Sequence, residues 1–210
     1  EYGLLVFEQI PTIGVPASIL NTSNYISLCK INIQALLQRD RNHACIVSWG
    51  LGSNIDAERA GEYVEQTAAF AKTFDSRPTY CTTTSRVAPE RGCDLYFLEL
   101  FGMEQNEFNA RLHAWRERYP RIPLVAAAYG KTIRPDNHNG YSDPLSVESQ
   151  AKGVLTAYNA LHVEHAAGSF LSSFSDWSSD RPSILSVETN PYVNYAGLLS
   201  LGRDERRLSF

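Results

Sequence analysis

The spacing of apolar residues along the chain changes several times, and each change marks a predicted element. Leu4–Phe7 is a short continuous apolar run, followed by a turn-rich stretch through Pro11, Gly14 and Pro16. From Tyr25 to Arg39 the spacing is helical, with Ile26, Cys29, Ile33, Leu36 and Leu37 on one face. Cys45–Trp49 reads as a strand, ended by Gly50 and Gly52, and Ala57–Phe74 returns to helical spacing through Ala60, Tyr63, Val64, Ala68 and Phe70. Pro78–Thr82 and Asp94–Glu99 are further strands, with room between them for only a turn or so of helix. Asn106–Tyr119 is helical and stops before Pro123, Leu124–Ala128 is a strand, Val147–His165 a helix and Ser169–Phe174 a last strand. Strands that alternate with helices predict a parallel sheet, either a barrel or a doubly wound layer. No G-x-G-x-x-G follows any of these strands, so a dinucleotide fold has little support.

Composition narrows the field. At 210 residues and 43% hydrophobic content, one domain can bury a substantial core. A net charge of −4 carries no signature of nucleic-acid binding and no basic membrane patch. No apolar run approaches the roughly 18 residues needed to span a bilayer. The chain opens on Glu1 without a methionine and reads as a piece of a longer protein.

The cysteines, Cys29, Cys45, Cys81 and Cys93, have no CxxC spacing, and His43 with Cys45 makes no zinc pattern. Cys45, inside a strand-like run, is expected to be a small buried hydrophobe. Cys81 closes one predicted strand and Cys93 opens the next, which sets the two at opposite strand ends and argues against a disulfide. His113, His138, His162 and His165 show no paired spacing with a carboxylate that suggests a metal, so no metal and no cofactor is expected.

Two runs carry candidate chemistry. Arg39–Asn54 reads R-D-R-N-H-A-C-I-V-S-W-G-L-G-S-N, and Ala126–Gly130 reads A-A-A-Y-G. Both resemble the catalytic signatures of family 2 glycoside hydrolases, the β-galactosidase and β-glucuronidase group. Further blocks follow that family's order. Glu1–Pro11 is similar to its third barrel strand, Asp75–Pro78 (D-S-R-P) to the lead-in of the fifth, Asp94–Gly102 to the sixth and Gly168–Trp177 to the eighth. The resemblance implies an α/β fold of the (β/α)8 TIM-barrel type, incomplete, with strands three to eight in residues 1–210 as a fragment of a larger multidomain protein. The remaining strands would come from the rest of the parent chain, a partner chain or a second copy.

The same resemblance identifies what has changed. In the family the first run ends W-S-L-G-N-E, whose Glu is the general acid/base, and the second reads S-E-Y-G, whose Glu is the nucleophile. Asn54 and Ala128 stand in those places. Retaining hydrolysis needs two carboxyl groups about 5–5.5 Å apart. An amide cannot serve as general base, and a methyl group cannot attack an anomeric carbon. Ser53, Glu99, Phe101, Ser172 and Ser173 also depart from the family pattern, at strand ends where a barrel carries its catalytic groups. Arg41, Asn42 and His43, ahead of the strand, are retained.

The expected function is therefore a glycoside hydrolase-like domain, inactive at the inherited site, with a structural or carbohydrate-binding role. Asn54, Tyr129, Asp176 and Trp177 are the candidate substrate-binding residues; each also has a plain structural reading, as strand cap, core aromatic or packing residue. One alternative is an active retaining β-glycosidase with relocated carboxylates, for which Glu8, Glu99 and Asp176 are the candidates at predicted strand ends. Another is a protein-interaction module using the vacated cleft.

Overall fold

The apolar runs become strands and the amphipathic segments helices, with boundaries displaced by a few residues. The computed structural model describes residues 3–88, 92–180, 182 and 190–210. The first two residues of the Glu1–Pro11 block lie outside the described residues. The chain divides into two units, one comprising Glu1–Glu99 with Arg121–Pro123, the other Leu100–Pro120 with Leu124–Phe210.

The first unit contains β1 (Val6–Gln9), α1 (Ala17–Leu20), α2 (Ser23–Asp40), β2 (Ile46–Gly50), α3 (Gly61–Lys72), β3 (Thr79–Thr83) and β4 (Leu95–Glu99). Its strands are parallel and follow one another in chain order, β1-β2-β3-β4. That order with intervening helices is the barrel alternative of the sequence reading. α2 begins two residues earlier than its periodicity suggests, because Thr22 caps it and accepts a hydrogen bond from the Tyr25 N–H at 3.4 Å. Ile26, Cys29, Ile33 and Leu37 form its buried stripe. α3 starts four residues later than expected, since residues 57–60 make a turn in which the Arg59 N–H donates to Asp56 Oδ1.

The two faces of this sheet differ. Phe7, Tyr80 and Phe97 cluster on one face, with Tyr80 and Phe97 stacked at 4.7 Å and Phe7 edge-on to both. Gly50 lies beneath them because a Cβ there would sit 2.2 Å from Gln9 Cβ and 2.7 Å from Tyr80 Cζ. Side chains alternate along a strand, so Trp49 faces the opposite way. It is 1% exposed and lies 4.8 Å under the guanidinium of Arg77. Arg77 also ties down the retained segment ahead of β2, donating to the backbone carbonyls of Arg41, His43 and Ile46. Asp75 holds that guanidinium at 2.6 Å.

The Arg77 hydrogen bonds lower the Asp75 pKa from 3.8 to about 2. A carboxylate depressed in the folded state contributes stability that is complete above its unfolded pKa and is lost as pH falls through the folded value. Stability should therefore fall between pH 3.8 and about 2, and Asp75→Asn should flatten that part of the curve in urea melts at a series of pH values. An unchanged acid limb in the variant would show that the pair is not formed.

The second unit contains α4 (Gln105–Arg118), β5 (Val125–Tyr129), α5 (Val147–Val163), β6 (Gly168–Leu171) and a small antiparallel ladder of β7 (Trp177–Ser178) with β8 (Val193–Asn194). β5 and β6 are parallel, with an irregularity between Ala126 and Tyr129. Two-residue strands far apart along the chain leave no periodic signal, and neither β7, β8 nor the single turn of α1 was expected.

The cysteines differ from expectation. Cys45 precedes β2 and is exposed, because the strand begins only at Ile46. Cys81 lies in the middle of β3 and Cys93 ahead of β4, and their thiols are hydrogen-bonded neighbours rather than ends apart; burial first, then Cys81, pushes the Cys93 thiol up. All four cysteines are free.

Among the described residues β1 pairs only with β2, and β6 only with β5. Leu4 and Leu5, leading into β1, are 72% and 70% exposed, and Phe170 in β6 and Phe174 beyond it are also exposed. Each unit thus carries an apolar strand edge of the kind that natural proteins pair or cover.

Candidate functional site

Asn54 follows β2, between the bridge of Ser53 to Ile13 and the bridge of Ile55 to Thr83. Its φ of 52° is left-handed, a region that asparagine enters more readily than most residues. The side chain is exposed, and the backbone N–H donates to Thr82 Oγ1 at 2.8 Å. Thr82 in turn donates to Glu99 Oε2 at 3.2 Å. The position that resembles an acid/base and the carboxylate at the end of β4 therefore share one hydroxyl.

Glu99 follows Phe97 by two residues and so lies on the face of Phe7 and Tyr80. Burial raises its pKa to about 7, opposed only in part by the Thr82 hydroxyl. Glu8 is different. It is in register with Trp49, hence on the opposite, helix-covered face, where Arg39 of α2 holds it at 2.9 Å. Burial and the neighbouring Asp40 carboxylate raise its pKa, with Arg39 acting against them. Glu8 and Glu99 do not face each other across a cleft.

In the second unit Ala128 has a φ of 50° within β5, a conformation that costs an L-residue about 1–2 kcal/mol. Tyr129 is buried edge-on to Phe108, with ring centroids 6.5 Å apart, the arrangement of a core aromatic. Gly130 approaches the chain after β6 closely: a Cβ there would stand 2.6 Å from the Ser172 carbonyl oxygen. The Ser172 N–H donates to the Tyr129 carbonyl at 2.9 Å, and the Ser172–Ser173 peptide is cis.

Asp176 was expected at the mouth. It is buried instead, its side chain 2% exposed against an Arg207 side chain 7% exposed. Both carboxylate oxygens accept from the Arg207 guanidinium, and Oδ1 also accepts from the Gly197 N–H at 2.9 Å. This carboxylate fastens the C-terminal segment, and nothing in the sequence spacing announces a partner 31 residues away. Trp177 is 48% exposed in β7 opposite Asn194.

Among the described residues no group of three or more His, Cys, Asp or Glu side chains is placed to hold a metal ion. No helix among them is long and apolar enough to cross a membrane.

The parallel strands and the intervening helices define a barrel-type domain. The family profile described as glycosyl hydrolases family 2, TIM barrel domain, matches residues 8–203, and the chain belongs to that family. Its fold is of the (β/α)8 TIM-barrel type and incomplete. A β-glucuronidase from Streptococcus agalactiae serotype V is 22% identical over 239 residues, covering 98% of this chain and 39% of its own length. A β-galactosidase from Thermoanaerobacter pseudethanolicus is 37% identical over 79 residues, 38% of this chain and 10% of the relative. Among solved structures, a β-glucuronidase of an uncultured Clostridium species superposes with a TM-score of 0.83 at 20% identity, over 99% of this chain and 39% of that one. The Ruminococcus gnavus β-glucuronidase in complex with uronic deoxynojirimycin gives 0.82 at 20% identity, over 98% and 38%. The chain thus spans well under half the length of these relatives.

Proposed function

We propose that this chain is the barrel portion of a family 2 protein that does not hydrolyse glycosides through the inherited pair, and that it serves a structural or carbohydrate-binding role. The carrying observation is the chemistry at two positions. An exposed amide, Asn54, and a methyl group, Ala128, occupy the places where the resemblance sets the acid/base and the nucleophile. Neither can take the role that retaining hydrolysis requires. Support also comes from the other carboxylates: Glu8 is turned to the helix-covered face and paired with Arg39, and Asp176 is enclosed by Arg207. A half-exposed Trp177 offers an apolar ring of the sort on which a sugar stacks.

The open edges at β1 and β6 fit a barrel completed by strands from outside these residues, supplied by a parent chain, a partner or a second copy. A closed barrel of this type uses eight strands. A glycan array probed with the chain tests the binding role. Retention of a defined glycan class that falls in Trp177→Ala is the expected result. No retention of any glycan would remove the carbohydrate reading and leave the structural one or an interaction module.

One observation favours a second reading. A carboxyl titrating near 7 on the Phe97 face, as Glu99 does, is poised for general acid/base work at neutral pH. Among the described residues no neighbouring carboxylate acts on it, and turnover that depends on Glu99 would establish this reading over the first.

A further inference from the structure

The second unit carries a half-open pocket of about 640 Å³ that borders the site described above at Gly130 and Phe108. It lies among the turn after β4, the segment after β5 and the first half of α5, and neither Ala128, Tyr129, Asp176 nor Trp177 lines it. Its volume falls within the roughly 300–1,000 Å³ of small-molecule sites. Phe101 and Phe108 give it apolar wall, Gln105, Lys131, Ser149 and Lys152 give it polar groups, and Glu104 is the one carboxylate in its lining.

Lys131 is the unusual member. Its ammonium is half-buried and donates to Ser149 Oγ at 2.5 Å, a neutral acceptor. Among the described residues it forms no ion pair, whereas Arg207 and His138 are each matched with a carboxylate. Glu104 and Asp143 attract it from a distance, but burial outweighs both and its basicity falls below the ordinary lysine value. Asp143 is already committed to the side-chain amides of Asn137 and Asn139 and to the Leu145 N–H. Ser149 sits in the first turn of α5, whose backbone presents donors and cannot neutralise a cation.

The hydrogen-bond inventory then points outward. A lysine ammonium has three donors, and Ser149 accepts one. The Ser149 hydroxyl, accepting from Lys131, keeps its own proton to give. We propose that this cavity binds a small ligand through a carboxylate or phosphate group, held by Lys131 and Ser149, with the rest of the ligand against Phe101 and Phe108. Lys152 adds a second positive charge at the lining.

Equilibrium dialysis of the 210-residue chain against radiolabelled inorganic phosphate and, separately, acetate at fixed ionic strength tests this and distinguishes the two anions. Saturable binding of at least one probe at one site per chain is expected. Lys131→Met should weaken it by about tenfold or more, as expected for a lost charged hydrogen bond, and Ser149→Ala by less. A test on the unaltered chain guards against misfolding of the variants. The sequence has four lysines, Lys30, Lys72, Lys131 and Lys152, and limited acetylation read by mass spectrometry reports each. The bound anion should protect Lys131 while Lys30 and Lys72 react as before. Absence of saturable binding, equal protection of all four lysines, or undiminished binding by folded Lys131→Met would overturn the proposal.

Discussion

Trp49→Ala should destabilise the fold by about 3–5 kcal/mol, the range for truncating a buried aromatic in a well-packed core. The indole is 1% exposed on the helix-covered face of β2, and the Arg77 guanidinium lies 4.8 Å over its ring. That same guanidinium reaches the carbonyls of Arg41, His43 and Ile46. Truncation thus removes the ring's apolar burial and also the surface on which the arginine is laid. Urea denaturation followed by circular dichroism measures the effect. A loss under about 1 kcal/mol, well below that range, would place the ring at the surface and undo the assignment of faces, on which the separation of Glu8 from Glu99 depends.

Arg207→Ala should produce a loss of similar size by another route. Removing one partner of a buried ion pair costs about 3–5 kcal/mol, because the remaining charge is left without compensation. The Asp176 carboxylate would keep only the Gly197 N–H. The segment from Gly197 to Arg207, held by the bridges of Leu199 to Ser175 and Arg206, should then become susceptible to limited proteolysis. Replacing both partners by apolar residues, Asp176→Leu with Arg207→Met, should recover part of the loss, since no buried charge remains. Equal stability of Arg207→Ala and the unaltered chain would show that this segment does not dock as described.

The two variants also mark where sequence reading succeeds and where it stops. Trp49 and the run around it were legible because Gly50 and Gly52 end β2 and the run follows a motif of fixed order, and Asp75–Pro78 carries its arginine at a set distance from the strand it serves. Helix faces were legible from spacing alone: Ile26, Cys29, Ile33 and Leu37 line α2 as expected. The face on which each strand residue lies was not. Parallel strands buried on both sides read as continuous apolar runs, so the alternation that separates Glu8 from Glu99 is hidden. Asp176 looked like a mouth carboxylate because the tail that brings Arg207 to it makes no pattern in the sequence. Cys81 and Cys93 meet because Cys81 lies in the middle of β3 rather than at its end and Cys93 lies ahead of β4, a matter of strand boundaries one residue wide. Lys131 and Ser149, 18 residues apart, are joined by the course of a loop and by the first turn of α5, and neither was singled out by residue type.

On the proposed reading Asn54 and Ala128 leave the inherited site without a working pair, and no other carboxylates among the described residues replace it. Release of p-nitrophenol from β-galactoside, β-glucuronide, β-mannoside and β-glucoside substrates by the chain measures this directly, with heat-inactivated chain and Glu99→Gln alongside. The expected result is no release above the heat-inactivated control, and no difference between the unaltered chain and Glu99→Gln. Release above that control, abolished by Glu99→Gln, would contradict the account.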